Sequence, residues 1–387
     1  MHIIIAGAGE LGKQLAWTLC SKTNDVVVID TSAALLERIK ERLDVLTVQG
    51  DCANFAVLKK AGVKKAQLLI ATSGSDASNV LACQIARHFK VKKTICRLST
   101  SGFFSDKDGF ASSTVGIDHI IYPQDECVAR MINVMQHQAL VDTLSFGTGD
   151  AQMNAVRIAR NSPLVGTTLQ DFPDPELLSR IRFSAIIRNQ ELLVPHGDTR
   201  IAAEDEVYVA GNGNVLPGLY QLAAPQEAPI SMVIVAGLTR VGRNLVVKLL
   251  AKGYRVRVIE RNLPAGEQFL TDLPERVMII NGDPTESDVL DEAGVPECGC
   301  FVSTMREDED NILSGILAKK LGARKVITLT NKAEYMDIVP ELNAIDSGFS
   351  PRLVAVNTVL NLLGSETARV HAILHRYHAY VYEFEVQ

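Results

Sequence analysis

The chain has 387 residues, of which 47% are apolar, 22% charged and only 5% aromatic. That length suggests two or three domains, and that composition excludes disorder and supplies more than one core. A net charge of −6, from 39 basic and 45 acidic residues, argues against a polyanion-binding surface and so against nucleic acid as a partner.

The longest apolar runs are Ile3 to Ala6, Val26 to Ile29 and Met232 to Leu238, far below the ~20 residues that span a bilayer. The opening Met-His-Ile-Ile-Ile-Ala is too short for a signal peptide and runs straight into a glycine motif. Seven scattered cysteines fit a reducing compartment better than a disulfide framework. The expectation is a soluble, cytoplasmic protein with no transmembrane segment of its own.

In chain order, short β runs are predicted at 2–6, 26–30, 45–48, 67–71, 93–97 and 119–122. Helical spacing lies between them, first at Leu11, Leu15 and Leu19, then at Leu35, Leu36, Ile39 and Leu43. Near-continuous aliphatic strands alternating with helices predict a doubly wound parallel sheet. The helix after Pro123 carries an apolar stripe of Val128, Met131, Ile132 and Met135, followed by Leu140. It reads as core or subunit interface, with the methionines favouring an interface. Trp17, the only tryptophan, reads as a packing residue. Residues 150–222 differ: Val156 to Ala159, Phe183 to Arg188 and Val207 to Ala210 read as the strands of a small α+β lobe. Leu222 to Pro229 then reads as a linker.

Beyond the linker the first pattern returns. Gly50 to Val63 aligns without gaps on Gly282 to Val295, with seven of fourteen positions identical. At the same shift Thr72, Asp76 and Asn79 fall on Thr304, Asp308 and Asn311. At nearby shifts Gly7, Gly12 and Asp30 fall on Gly237, Gly242 and Glu260, and Ile117, Asp118 and Pro123 on Ile345, Asp346 and Pro351. Residues 1–140 and 230–365 are therefore two copies of one Rossmann-like domain, with the small lobe (141–224) after the first. Residues 366–387 read as a linking helix and the first strand of a second small lobe, cut short inside it.

The chemistry sits in the glycine loops. Gly7-Ala8-Gly9-Glu10-Leu11-Gly12 follows a predicted strand and opens a helix, and Asp30 ends the next strand. In that context the first glycine permits the tight turn, the second lets a pyrophosphate approach the backbone, and the third lets helix and strand pack closely. Asp30 is placed for the adenosine ribose and would repel a 2′-phosphate, which favours NAD(H) over NADP(H). The same glycines nearly fit a nucleotide-hydrolysing P-loop, but Gln14 stands where Ser or Thr should hold magnesium. The second copy keeps Gly237, Leu238, Gly242 and Glu260, yet has Thr239 at the point of closest phosphate approach and Leu329 where the first copy has Arg97.

No acid/base pair or substrate pocket suited to a dehydrogenase stands out. His196, in Pro-His-Gly-Asp, reads as an exposed loop residue, and Cys298 and Cys300 as buried thiols. His371 and His375 would share a helix face, with His378 beyond, but no carboxylate lies between them as in zinc proteases. No catalytic and no metal-binding residue is expected.

The first-copy pattern, with Asp30, Gly50-Asp51 and Thr72-Ser73 through Asp76 and Asn79, resembles the RCK (KTN) domain. The small lobe, with Asn161 to Leu169, Val194 to Thr199 and Glu204 to Ala210, resembles the C-lobe that follows it. Two such units in tandem resemble the cytoplasmic regulators of Trk-type potassium uptake. The resemblance implies a non-enzymatic protein that binds NAD(H), and ATP or ADP at the same site. It implies homo-oligomers, from a dimer to a tetrameric ring, on the inner face of the membrane against a channel subunit. By position it implies that Gly7, Ala8, Gly9, Glu10, Leu11 and Gly12 hold the pyrophosphate and Asp30 the ribose. Asp51 would lie by the adenine, Thr72 and Ser73 by the distal half, and Arg97 by the terminal phosphates of ATP. Gly237, Leu238, Thr239, Glu260 and Asp283 are their counterparts in the second copy. A regulator of another cation transporter, such as a cation/proton antiporter, shares these features, and an NAD-dependent oxidoreductase is the alternative from a different class.

Overall fold

The computed structural model describes residues 1–20, 24–104, 111–146, 150–226, 228–271, 273, 277–332, 335, 342, 344–363, 368–374 and 379–384. The chain forms two compact units, residues 1–126 with 351–365 and residues 127–350 with 366–387.

The first unit holds a six-stranded parallel sheet of β1 (His2–Ala6), β2 (Asp25–Asp30), β3 (Leu46–Gln49), β4 (Leu68–Ala71), β5 (Lys93–Arg97) and β6 (His119–Ile121), in the order β3-β2-β1-β4-β5-β6. The period-two alternation of each strand sorts its side chains between two faces. Ile4, Ala6, Val27, Ile29 and Leu69 pack on one side with residues of α3 (Phe55–Lys60) and α4 (Asp76–His88). Ile3, Ile5, Val26, Val28 and Ile70 pack on the other with α1 (Glu10–Leu19) and α2 (Ala33–Lys40). Side-chain oxygens of Ser32, Asn54 and Ser75 cap α2, α3 and α4, which fixes where each helix begins.

That second face is completed by a distant piece of the chain. Ala355, Val356 and Val359, fully buried, join Ile3, Ile5 and Leu15 in one cluster. They belong to α12 (Pro351–Leu363), whose Lys93 contact, from Nζ to the Leu362 carbonyl at 2.7 Å, ties its end to β5. The segment 351–365, assigned from the repeat to the second copy, packs within the first unit.

The second unit contains the matching parallel sheet of β12 (Met232–Ala236), β13 (Arg255–Glu260), β14 (Val277–Asn281), β15 (Cys300–Ser303), β16 (Lys325–Leu329) and β17 (Ser347–Phe349), ordered β14-β13-β12-β15-β16-β17. Among its helices are α8 (Arg240–Ala251), α9 (Leu263–Leu270) and α11 (Asp308–Leu321). It also contains an antiparallel sheet of β7 (Leu140–Phe146), β8 (Ala151–Arg157), β9 (Ile181–Arg188), β10 (Glu191–Leu193) and β11 (Glu206–Asn212), ordered β10-β9-β11-β8-β7. The strands expected at Phe183 to Arg188 and Val207 to Ala210 fall within β9 and β11; that expected at Val156 to Ala159 overlaps only the end of β8, and neither edge strand, β7 or β10, was expected. No helix among the described residues is long and apolar enough to cross a membrane.

Three expectations change. The stripe on α5 (Pro123–Met135) is not left for a partner subunit: Val128, Met131, Ile132 and Met135 are fully buried within this chain. Trp17 is not a packing residue, being 60% exposed on α1. Where a linking helix was expected after residue 366, the chain forms β18 (Ala368–Leu374), antiparallel to β19 (Ala379–Phe384). His371 therefore lies on a strand, which removes the shared helix face, and His375 and His378 lie outside the described residues.

Candidate functional site

The strand order reverses between β1 and β4, so the helices after those strands leave on opposite faces and open a crevice at the carboxyl ends of the strands. Every first-copy residue singled out from sequence is placed at that edge. Gly7 adopts φ of +118°, and a Cβ there would lie 2.8 Å from the Ser73 nitrogen. A Cβ on Gly12 would come within 1.8 Å of the Gly7 carbonyl oxygen. No other residue type allows that turn with α1 seated against it. At Gly9, by contrast, a Cβ would meet nothing within 4 Å. Gly9 is the N-cap of α1 and provides no side-chain cap, so backbone donors and a partial positive charge face open space.

Asp30 is fixed by two backbone donors. The Ala8 N–H donates to Oδ2 at 2.7 Å and the Ser32 N–H to Oδ1 at 2.8 Å. Each carboxylate oxygen has two acceptor positions, so both can still accept from a diol. Asp51 accepts from the Ala53 N–H at 2.9 Å, in the turn after β3. Leu11 packs its side chain against the core, so it can offer a ligand only its backbone.

The far side of the crevice is braced by a buried asparagine. Asn79 Oδ1 accepts from the Ser73 N–H at 2.9 Å and from the Ser73 hydroxyl at 2.7 Å. Its Nδ2 donates to the carbonyls of Ser73 at 3.1 Å and Arg97 at 2.9 Å. Thr72 donates its hydroxyl to the Ala6 carbonyl at 3.2 Å. Arg97 is not a free surface arginine: its side chain is 18% exposed, 4.0 Å from Asp76 and within 3.5 Å of the Ser73 carbonyl. Asp76 in turn accepts from the Ser99 N–H and hydroxyl. The repeat marks Asn79 and Asp76, but their bracing role is visible only in three dimensions. Arg352 on α12 carries no sequence signal at all; it lies 3.1 Å from Glu10 with its side chain 14% exposed.

The second copy repeats the frame and alters the seat. Gly237 has φ of +92°, and a Cβ on Gly242 would lie 2.2 Å from its carbonyl oxygen. Glu260 accepts from the Leu238 N–H at 2.7 Å and the Asn262 N–H at 2.9 Å. Asn311 braces Met305 as Asn79 braces Ser73, and Leu329 is buried. Thr239, however, turns its hydroxyl inward: it donates to the Thr304 carbonyl at 2.6 Å and accepts from the Gly242 N–H at 3.4 Å. It is the cap of α8. The helix end left open in the first copy is satisfied internally in the second.

Beside it lies a cleft of about 460 Å³ lined by Gly237, Thr239, Arg243, Glu260, Arg261 and Asp310, among others. Arg261 bridges Asp283 and Asp310, each at 2.7 Å. Burial opposes ionisation of Asp283, but hydrogen bonds from Arg261 and Thr285 outweigh it and hold the carboxyl below its ordinary value. His196 is exposed in a turn, and Cys298 and Cys300 are buried, the former with its thiol pushed up to about 12 by burial.

Two Rossmann sheets, each with a glycine loop pinned to an acidic residue at the end of its second strand, define a tandem nucleotide-binding-type protein. Residues 3–123 and 233–351 match the TrkA-N domain, and residues 154–224 the TrkA-C domain. This chain belongs to the TrkA family. It is 32% identical over 375 residues to the Trk system potassium uptake protein TrkA of Halomonas elongata, covering 96% of this chain and 81% of that one. It is 30% identical over 362 residues to that of Vibrio alginolyticus, covering 93% and 78%. Among solved structures, the GsuK RCK domain superposes with a TM-score of 0.69 at 20% identity, over 95% of this chain and 79% of that one. The GsuK channel bound to NAD gives 0.69 at 20% identity, over 94% and 63%. GsuK bound to ADP gives 0.58 at 15% identity, over 94% and 69%. These likenesses establish the RCK-type fold.

Proposed function

We propose that this chain is the nucleotide-sensing regulatory subunit of a Trk-type potassium uptake system, working on the cytoplasmic face of the membrane and without catalytic turnover. The observation that carries this reading is the first-copy crevice, with an uncapped helix, no side chain at Gly9, and Asp30 held with spare acceptor capacity. NAD(H), and ATP or ADP at the same place, fit that donor set. The backbone of Gly7 to Gly12 would hold the pyrophosphate, Asp30 the ribose, Asp51 the adenine side, and Thr72, Ser73 and Arg97 the distal or terminal-phosphate side. GsuK is described as bound to NAD and to ADP, which supports a shared pocket for both kinds of ligand. Gly237, Leu238, Thr239, Glu260 and Asp283 form a second, weaker site, because Thr239 occupies the phosphate end with its own hydroxyl.

Regulation requires only differential affinity. A ligand that binds one arrangement of the protein about tenfold more tightly biases it by about 1.4 kcal/mol per site. Several sites in a homo-oligomer, up to a tetrameric ring, add those biases and pass them to the membrane subunit. The test is a calorimetric titration with NADH followed by competition with ATP. Binding near one per chain, displaced by ATP and with no loss of NADH absorbance, supports the sensor. Turnover of NADH would return the chain to the oxidoreductases, and no binding by either nucleotide would remove the sensor reading. Co-purification with a cation/proton antiporter in place of a Trk membrane subunit would reassign the partner.

A further inference from the structure

We propose that Arg352 is a ligand-positioning residue of the first-copy site and links its occupancy to the seating of α12; this rests on the nucleotide reading above. Three observations meet at this point. The Arg352 side chain is largely buried, at 14% exposure, and its guanidinium lies 3.1 Å from the carboxylate of Glu10, whose side chain is 64% exposed. Glu10 is the first residue of α1, beside Gly9, where the helix end has no side-chain cap and the space is open. Glu10 is also the one ion-pair partner of Arg352 among the described residues.

A carboxylate in the first turn of a helix is favoured by the helix dipole. It also places a negative charge where a pyrophosphate would bring more. Without compensation, Glu10 would repel the ligand that its own loop is shaped to receive. Arg352 supplies the compensation, because a guanidinium has five donors in a rigid fork and can serve a second anion while holding the first. A phosphate arriving at Gly9 therefore finds a neutralised Glu10 and a cation with donors to spare. Adenosine, which has no phosphate, gains nothing from this arrangement.

The cation is carried by α12, and only Ser350 separates α12 from β17. Ligand phosphates that strengthen the hold on Arg352 must, by linkage, strengthen the packing of α12 on α1 and β1. That gives the first-copy site a direct purchase on the chain segment leaving the last strand of the second sheet.

The experiment compares wild type, Arg352→Gln, Glu10→Gln and the double variant, with ADP and adenosine as probes in calorimetry. The expected results are an about tenfold loss of ADP affinity in Arg352→Gln, equal to the strength of one charge-assisted contact. Adenosine affinity should not change. Adding Glu10→Gln to that background should recover only the share of the loss that comes from the uncompensated carboxylate, while the share that comes from the missing guanidinium–phosphate contact stays lost. Amide exchange across 351–363 in the wild type should slow on saturation with ADP; this reads the linkage even if Arg352→Gln fails to fold. Equal loss for ADP and adenosine, unchanged ADP affinity, or unchanged exchange on α12 would each overturn the proposal. If wild type binds no ADP, the nucleotide reading itself fails, and Asp30→Ala serves as the control that the measured binding is at this site.

Discussion

The Nζ of Lys325 lies 2.6 Å from the carbonyl oxygen of Val134, at the end of α5. The same ammonium reaches the carbonyls of His137 at 2.6 Å and Leu140 at 2.7 Å, and the lysine is 1% exposed. The last carbonyls of a helix have no intrahelical partner, and here one buried cation on β16 satisfies that of Val134 together with carbonyls of the segment that follows the helix. Its cost of burial is offset only because every donor is used and the helix end is negative.

Replacing Lys325 with Met keeps the apolar stem and strips the charge, leaving several buried carbonyls without a donor. Orphaned groups of this kind cost about 1–3 kcal/mol each. Lys325→Met should therefore destabilise the second unit by at least ~3 kcal/mol. Scanning calorimetry reads this as a lower transition for that unit; a transition within a degree of wild type would show that the carbonyls find other partners.

Asp30 tests the first-copy site. Asp30→Ala should weaken NADH binding by roughly ten- to a hundredfold, the range for hydrogen bonds to a charged group. It should also narrow the preference for NADH over NADPH, since a 2′-phosphate no longer meets a carboxylate. Gly12→Ala should be more damaging, because its Cβ would sit 1.8 Å from the Gly7 carbonyl oxygen and the loop must move. Fluorescence of the exposed Trp17 on α1 offers a titration signal for both variants.

Much of this was legible in the sequence, and the exceptions share a physical cause. The central strands of both parallel sheets are buried on both faces, so their aliphatic runs are unbroken and their glycine loops follow at fixed spacing. Local pattern does not say which sheet an amphipathic helix covers, so α12 and Arg352 were assigned to the copy that precedes them in the chain. The segment Ala368–Leu374 was misread because positions i and i+4 share a face in a strand as well as in a helix. Asn79 was visible as a repeated residue, yet its four hydrogen bonds depend on β4 and β5 lying side by side.

The thiols divide by burial. Cys52, Cys83, Cys96, Cys127, Cys298 and Cys300 are buried, and Cys20 is half-buried. Burial pushes the Cys52 thiol up to about 11 and that of Cys298 to about 12, so little thiolate forms near neutrality. Ellman's reagent at pH 8 should modify about one thiol per native chain quickly and the rest only after unfolding. A Cys20→Ser variant with the same fast amplitude would refute the assignment.

The Arg261–Asp283 pair gives a pH signature. The Asp283 carboxyl is held below its ordinary value in the folded chain. Its contribution to stability is therefore present above the unfolded carboxylate value of about 4 and lost as pH falls through the lower folded one. Asp283 is 33% exposed and Arg261 45%, so solvent screening limits the pair to under about 1 kcal/mol. Asp283→Asn should thus cost little at pH 7 and flatten the loss of stability in acid, as followed by urea titrations between pH 3 and 7.

Thr239 separates a frame for binding from a seat for phosphate. Its hydroxyl caps α8 and ties to Thr304, filling the helix end that Gly9 leaves open. Thr239→Gly restores the first-copy pattern at a stability cost of only a few tenths of a kcal/mol, because glycine is itself tolerated as an N-cap. Glu260 and the Leu238 backbone already hold the geometry of Asp30 and Ala8. The variant should therefore gain a second nucleotide per chain, seen as a stoichiometry rising from about one toward two in calorimetry. Ser at the same position should stay at one, because its hydroxyl can still make both hydrogen bonds. If Thr239→Gly also stays at one, the obstacle lies in the Arg261 bridge to Asp283 and Asp310, and Arg261→Ala in the glycine background becomes the deciding measurement.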